Sequence, residues 1–552
     1  MKIGKVDLIS LEIINNALRS VADEMFISLM KSAYSTNIKE RHDHSSAVID
    51  VRGRLVVQAE KSLAIHLGSM TGLIDSILDQ YAIDEIKPGD MFVANDPYCA
   101  GGSHLPDVNL ALPVFVAGEL ICFVCNIAHH ADIGGMVPGS MAGGMSEIYQ
   151  EGLRIPVVRL FSKGELVGDI LKLLLLNARV PEERRGDYYA QISSCRLGAR
   201  RVEEIVERFG RNQVVVSFDE IMKRTRSRVD NAIASLPAGT HVFEDVMDDD
   251  GLGTENIVIK LTLTIDPAAP RLMFDFTGTH SQVLGNINTT MNATRASVLY
   301  AVKALLDPDA PNNQGLIDAV EIFVPSGTLL NAEFPAAVAA RANTCQRIVD
   351  VVIGGFVDVL PECVVGGANG ANTTTVIAGV DPDTKRQYVY FETLGGGFGG
   401  RATKDGKDGV QVHITNTSNL PIEAIETEYP LIVERYEFAE DSGGQGRHRG
   451  GLGLRRVIKP VAHSAIFSGF GERFFNAPWG IFGGDEGRPG RFTLVSATGT
   501  SKRLISKPSG IVIAAGEAIV IETAGGGGYG PASERSPESI ADDLESGKYT
   551  RG

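Results

Sequence analysis

Residues Asn95–Asp107 read NDPYCAGGSHLPD, and an apolar stretch then leads into Leu120–Ala128, LICFVCNIA, and on to His129-His130-Ala131-Asp132-Ile133-Gly134-Gly135. The run LICFVCNIA carries Ile, Val, Phe and Cys without a helical period, so it reads as a strand buried on both faces. That strand ends at the histidines. If the extended conformation persists there, His129 and His130 face opposite sides, and only one of them joins a common site. The other is left to position substrate or shuttle a proton. Upstream, Pro106 biases Leu105 toward extended backbone and the preceding glycines permit a tight approach, so His104 and Asp107 project from one loop toward one point. Nitrogen and oxygen ligands on rigid backbone suit a divalent metal with an open position for water. The competing reading is a set of histidines hydrogen-bonded in turns.

A further ligand is available from Arg41-His42-Asp43-His44-Ser45-Ser46, which immediately precedes the apolar run Ala47-Val48-Ile49. Asp43 stands just ahead of that expected strand. It can supply a carboxylate oxygen, or it can be an ordinary capping residue, and the local sequence leaves both open.

Working outward, Leu11, Ile14, Leu18, Val21, Met25 and Leu29 recur at steps of three and four, which predicts a long amphipathic helix between Asp7 and about Ser35. A shorter helix is expected over Gly68 to Tyr81. Met136 to Pro156 is rich in Gly, Met and Ser, a composition suited to a loop that closes over a site. Helical signal returns from Pro181 to Ala234, and beyond Pro237 the texture turns to alternating residues, as in Ile257 to Leu263 and Leu272 to Phe276. Helices are expected again over Thr294 to Leu306 and Thr344 to Leu360. From Asp383 onward glycines are frequent and strands short. The expected fold is α+β and multi-lobed: 1–236 as a helix-and-strand metal-site domain, 237–382 as an α+β middle region, and 383–552 as a β-rich, Gly-rich portion.

A chain of 552 residues can bury large cores, and 43% apolar with 22% charged residues is ordinary globular composition. The net charge of −16 opposes nucleic-acid or anionic-membrane binding. No targeting segment or membrane span is evident, so the cytoplasm is the expected location. Six scattered cysteines form no disulfide framework. Cys122 and Cys125 make a formal C-x-x-C, but on a strand their thiols point to opposite faces, as buried small hydrophobes would. The runs Gly395–Gly400, Gly443–Gly446 and Gly525–Gly528 contain no G-x-x-x-x-G-K-[ST] and open no β-α-β unit. They read as tight turns or close backbone approach, and the chain is expected not to hold its own nucleotide.

NDPYCAGGSHLPD, AHHADIGGMVPGS, EIYQEGLRIP, NARVPEERRGDYYAQ, DFTGT, DSGGQGRHRGGLGLRR and the closing TAGGGGYGP together resemble, in order and over nearly the whole chain, the hydantoinase B/oxoprolinase family. The resemblance implies a division of labour with a hydantoinase A-type, ATP-binding partner in a hetero-oligomer. The partner phosphorylates an amide or ketone oxygen with ATP, and this chain completes the chemistry at a metal. It also implies metal ligation by Asp43, His104, Asp107 and His129, with zinc first and manganese as the alternative. His130 and Asp132 are then candidates for catalytic orientation or proton transfer. The implied activity is hydrolysis of a hydantoin, 5-oxoproline or lactam ring. Subunits of acetone- and acetophenone-type carboxylases share the resemblance, so carboxylation of an activated ketone is an alternative. A non-catalytic scaffold for the A-type partner is another.

Overall fold

In the computed structural model, which describes residues 7–550, LICFVCNIA lies in the middle of a seven-stranded sheet. Its strands are β1 (His44–Asp50), β2 (Leu55–Gln58), β3 (Met91–Ala94), β4 (Asp107–Val116), β5 (Glu119–His129), β6 (Val158–Ser162) and β7 (Glu165–Leu166). They pair antiparallel in the order β2-β1-β5-β4-β3-β6-β7. Side chains of β5 alternate between two cores: Cys122 and Val124 enter one, Phe123, Cys125 and Ile127 the other. The two thiols therefore point to opposite faces, as their spacing requires.

Helix α1 (Leu8–Ser32) covers the first face, burying Leu11, Ile14, Leu18, Val21, Met25 and Leu29, and the Asp7 carboxylate caps it by accepting from the backbone N–H of Ile9 and Ser10. A short turn of helix, α2 (Thr36–Lys39), then delivers the chain to β1, and α3 (Leu67–Gln80) covers the opposite face. After α4 (Gly168–Leu176), the helical signal expected to run from Pro181 to Ala234 divides into α5 (Pro181–Phe209) and α6 (Arg211–Ala234). The break is Gly210, whose φ of 81° lies in the left-handed region and ends α5. Residues of α1 and α5 share one core with β4 and β5.

Beyond Leu236 a second sheet follows, of β8 (Gly239–Asp249), β9 (Glu255–Asp266), β10 (Arg271–Asp275) and β11 (Val320–Phe323), in the order β11-β10-β9-β8 with only β10 and β11 parallel. Along β9, Ile257, Ile259, Leu261, Leu263 and Ile265 are buried, which is the alternation read from the sequence. Two helices, α7 (Met291–Leu306) and the short α8 (Gln314–Ile317), precede α9 (Arg341–Gly355), all of whose residues are buried. The expected helix over Thr344 to Leu360 thus starts three residues earlier and stops at Gly355. Its N-terminal residue, Arg341, reaches the end of the first sheet.

The last part holds strands β12 (Thr373–Val380), β13 (Gln387–Leu394), β14 (Leu431–Phe438), β15 (Leu454–Pro460), β16 (Ala465–Phe470), β17 (Arg491–Val495), β18 (Ser501–Arg503), β19 (Ile511–Ile513) and β20 (Ala518–Glu522). They form sheets of order β13-β12-β16-β19 and β14-β15-β20-β17-β18. The glycine runs belong to neither sheet. They lie side by side as a bundle of bare backbone: Gly400 N–H donates to Gly527 O at 2.8 Å, Gly527 to Gly367 at 2.7 Å, Gly526 to Gly451 at 2.9 Å and Gly451 to Phe398 at 2.8 Å. A Cβ at Gly450 would stand 1.8 Å from the carbonyl oxygen of Gly526, and one at Gly399 1.8 Å from that of Gly366. Close approach of chains is what these glycines provide. Among the described residues, no helix is long and apolar enough to cross a membrane.

Candidate metal centre

Three chain segments converge where β1 begins, β4 begins and β5 ends. Asp107 and His129 are direct cross-strand partners in the β4–β5 register. The turn before β4, closed by Asp107 N–H to His104 O at 3.2 Å, puts His104 beside them, and His129 N–H donates to Asp43 O at 3.0 Å. Ligand atoms of His104, Asp107 and His129 all lie within 4.8 Å of one another, and all three residues are buried.

Each group is held by a defined partner. The Nδ1 of His104 lies 2.9 Å from the carbonyl oxygen of Ala339, which can only accept, so Nδ1 carries the proton and Nε2 presents its lone pair. Asp107 Oδ2 accepts from Ser103 Oγ at 2.8 Å and from the Arg341 guanidinium, whose Nε also donates to Ser103 Oγ at 3.0 Å. His104 Nε2 and Asp107 Oδ1 are left buried with no hydrogen-bond partner, 3.3 Å apart. His129 is held differently. Arg41 occupies Asn37 Oδ1, so the Asn37 amide nitrogen faces His129, 3.0 Å from Nδ1 and 2.8 Å from its backbone oxygen. With Nδ1 accepting, the neutral ring carries its proton on Nε2; for a cation to take Nε2 that proton must move to Nδ1 and the Asn37 amide nitrogen must give way. Phe391 of β13 stacks on the ring at 4.8 Å.

Electrostatics separate the carboxylates. Burial alone would raise Asp107, but its neighbours His104, Arg341 and His66, with the Arg341 guanidinium on its Oδ2, outweigh it and hold the carboxyl well below the usual range. Burial instead pushes Asp43 up, against the pull of Arg41 and His66. Burial and then the Arg341 charge lower His104, and burial and then His104 hold His129 well below an ordinary imidazole, so both rings are neutral.

Of the residues singled out in the sequence, His104, Asp107 and His129 come together, and Asp43 stands beside them across His66. His66 carries no sign of this role in the sequence: its Nε2 lies 3.7 Å from Asp43 Oδ1 and 3.6 Å from Asp107 Oδ1, while its Nδ1 meets Ser45 Oγ at 2.9 Å. It sits in the apolar turn Leu63-Ala64-Ile65-His66-Leu67, where nothing marks it as polar machinery. Arg341, 234 residues from Asp107, gives no signal either. His130 and Asp132 do not reach the cluster. His130 turns to the other face of the sheet, with Nε2 2.9 Å from Gln191 Oε1 and the ring 4.6 Å from that of Tyr188. Asp132 accepts from the backbone N–H of Gly134 and Gly139 and from Arg179 at 3.0 Å, which fixes the loop after β5.

A buried set of two imidazoles and one carboxylate, with two orphaned lone-pair atoms aimed at one another, fits a divalent cation of the zinc or manganese type. Elsewhere, Glu151 braces the site from behind: its Oε1 accepts from the N–H of Val338 and Ala339, the residue whose oxygen orients His104.

Comparison with known proteins agrees with the sequence motifs. The profile of the family described as hydantoinase B/oxoprolinase matches residues 7–532. A Pseudomonas sp. (strain NS671) protein named as the B component of a D-/L-hydantoinase is 33% identical over 99% of this chain and 94% of its own length. The 5-oxoprolinase 1 of Arabidopsis thaliana is 35% identical over 95% of this chain, which spans 42% of that longer protein. Among solved structures, the ATP-dependent caprolactamase from Pseudomonas jessenii superposes with a TM-score of 0.91 at 28% identity, covering 99% of this chain and 95% of that one. On its motifs, its fold and the extent of these matches, the chain belongs to the hydantoinase B/oxoprolinase family.

Proposed function

We propose that this chain is the metal-dependent component of an ATP-dependent cyclic amide hydrolase, which opens a hydantoin, 5-oxoproline or lactam ring after a hydantoinase A-type partner has phosphorylated the ring oxygen. The observation that carries the reading is the pair of orphaned atoms, His104 Nε2 and Asp107 Oδ1, at the centre of a buried His/Asp/His cluster in a chain of this family. The names of its relatives, the B component of a hydantoinase, a 5-oxoprolinase and a caprolactamase, supply the substrate class.

A ring amide resists attack because its nitrogen donates into the carbonyl; phosphorylating the oxygen makes the carbon electrophilic and gives the oxygen a way to leave. That explains a requirement for ATP in a chain with no phosphate loop. In this reading His104, Asp107 and His129 hold the cation, with Asp43 or His66 completing the set. The cation would supply Lewis acidity and lower the pKa of water to near neutrality. The chain's own groups hold that set rigid: Ala339 fixes the tautomer of His104, Ser103 and Arg341 occupy Asp107 Oδ2 so that Oδ1 faces inward, and Asn37 orients His129.

Reconstitution with an A-type partner tests the proposal. Purified alone, the chain should hydrolyse neither ATP nor ring amides; with the partner, ATP-dependent ring opening should appear on a panel of hydantoins, 5-oxoproline and lactams. ATP-independent hydrolysis by this chain alone would overturn the division of labour. A product heavier by one carboxylate from ketone and bicarbonate, with no ring opened, would replace the hydrolase by the carboxylase reading.

A further inference from the structure

Next to His66, on the side away from the candidate metal cluster, lies a chamber that the proposed chemistry does not use. A cavity of about 300 Å³ opens between α7, the segment from Ser62 to Leu67 and the loop around His413. Ser62, Ala64 and Leu67 form one wall, whereas His66 of the same segment turns away to Asp43 and Asp107. The volume is at the lower end of the ~300–1,000 Å³ typical of small-molecule sites.

Its lining is sorted by chemistry. Leu67, Leu299 and Ile414, all buried, give an apolar floor. Lys303, Tyr300 and His413 stand over it, and no Asp or Glu is among its lining residues. Lys303 Nζ donates to Asn312 Oδ1 at 3.2 Å and, among the described residues, finds no carboxylate within ion-pair distance. His413 has a φ of 49°, in the left-handed region that a residue with a Cβ adopts at a cost of about 1–3 kcal/mol. Its Nε2 lies 2.9 Å from Oδ1 of the buried Asp350, which Arg473 also pairs at 2.9 Å. The strained backbone and the buried carboxylate together fix one edge of the imidazole inward and leave the ring on the cavity wall. Tyr300 meets that ring edge-on at 6.1 Å. With its Nε2–H given to Asp350, the neutral His413 ring serves as wall, and an ammonium and a phenol above an apolar floor select a negative head on a short apolar body.

We infer that this cavity binds a small aliphatic monocarboxylate, with its carboxylate at Lys303 and Tyr300 and its chain on Leu67, Leu299 and Ile414. The site shares no ligand residue with the metal cluster and does not rest on the proposed reaction.

Sodium hexanoate is the probe, titrated calorimetrically into the full chain after treatment with chelator, because a metal would itself bind carboxylate. The same titration is run on His104→Ala. Saturable binding of one hexanoate should persist in both, weaken at least tenfold in Lys303→Met, and largely survive in Lys303→Arg. In methyl spectra of the parent protein labelled at Ile and Leu, hexanoate should shift Leu67, Leu299 and Ile414, a readout that needs no variant to fold. Absence of binding, unchanged affinity in folded Lys303→Met, loss of binding on chelation, or shifts confined to other methyls would each overturn the site. Equal affinity for 1-hexanol or hexylamine would overturn its anionic character.

Discussion

Replacing Glu151 by glutamine should make the protein more resistant to alkali, not less stable. Glu151 is fully buried; its Oε1 accepts from the N–H of Val338 and Ala339, both at 2.7 Å, and its Oε2 has no partner. Burial pushes the carboxyl from its usual 4.5 up to about 8, in spite of those two donors and the charge of Arg341. Between those values the folded protein binds a proton that the unfolded chain has lost. The group's stabilisation is therefore fully present below about 4.5 and is lost as the pH rises through about 8. At about 1.36 kcal/mol per pH unit, the whole loss is about 5 kcal/mol. An unfolding entropy of about 2.1 cal/mol/K per residue, taken over 552 residues, converts that to roughly 4 °C. In Glu151→Gln the amide oxygen keeps both backbone donors and nothing titrates. Scanning calorimetry of parent and variant, both treated with chelator, should give similar midpoints near pH 5 and a variant higher by roughly 4 °C at pH 9. A difference between the two that stays constant across pH would refute a protonated Glu151 and the argument from burial with it.

Metal analysis of purified His104→Ala and Asp107→Ala should show less bound zinc or manganese than the parent, and equal content in all three would remove the site assignment. His66→Ala should retain the site but weaken it by about 10–100-fold in a metal-buffer titration, since its Nε2 supports both Asp43 and Asp107; unchanged affinity would make His66 a bystander. Gly450→Ala, whose Cβ would meet Gly526 O at 1.8 Å, should cost about 4 kcal/mol or more and abolish soluble expression. Gly499→Ala, with nothing within 4 Å, should cost only about 1–2 kcal/mol from its left-handed backbone. Equal behaviour of the two glycine variants would mean that the bundle is loose.

What the sequence reveals follows the reach of its signals. The period of α1 and the alternation of β9 are written in side chains that face a core, so both elements are legible within a few residues. His104, Asp107 and His129 stand out because polar, metal-competent residues adjoin an apolar strand. The role of His66 is invisible locally, because its neighbours are apolar and its partners come from two other strands. Arg341 and Ala339 act across more than 200 residues of chain, a distance that only the fold closes. The end of α9 at Gly355 is hidden because Val357 to Leu360 continue the apolar pattern into a turn. The glycine runs announce close approach but not their bundle, since residues without side chains have no period to read.

That bundle has a thermal consequence. The cores around α1, α5 and β5 bury hydrocarbon, whose exposure raises the heat capacity by about 0.45 cal/K/mol per Å², whereas exposed peptide lowers it by about 0.26. A segment such as Gly525–Gly528 releases almost only peptide groups when it separates from its neighbours. Its unfolding draws on hydrogen-bond enthalpy against the large chain entropy that glycine regains, with a heat-capacity change of the opposite sign. Cooling, which weakens apolar cores, leaves this part of the molecule with its grip intact. The glycine bundle thus subtracts from the heat capacity of unfolding that the apolar cores contribute, and flattens the stability curve of the whole chain.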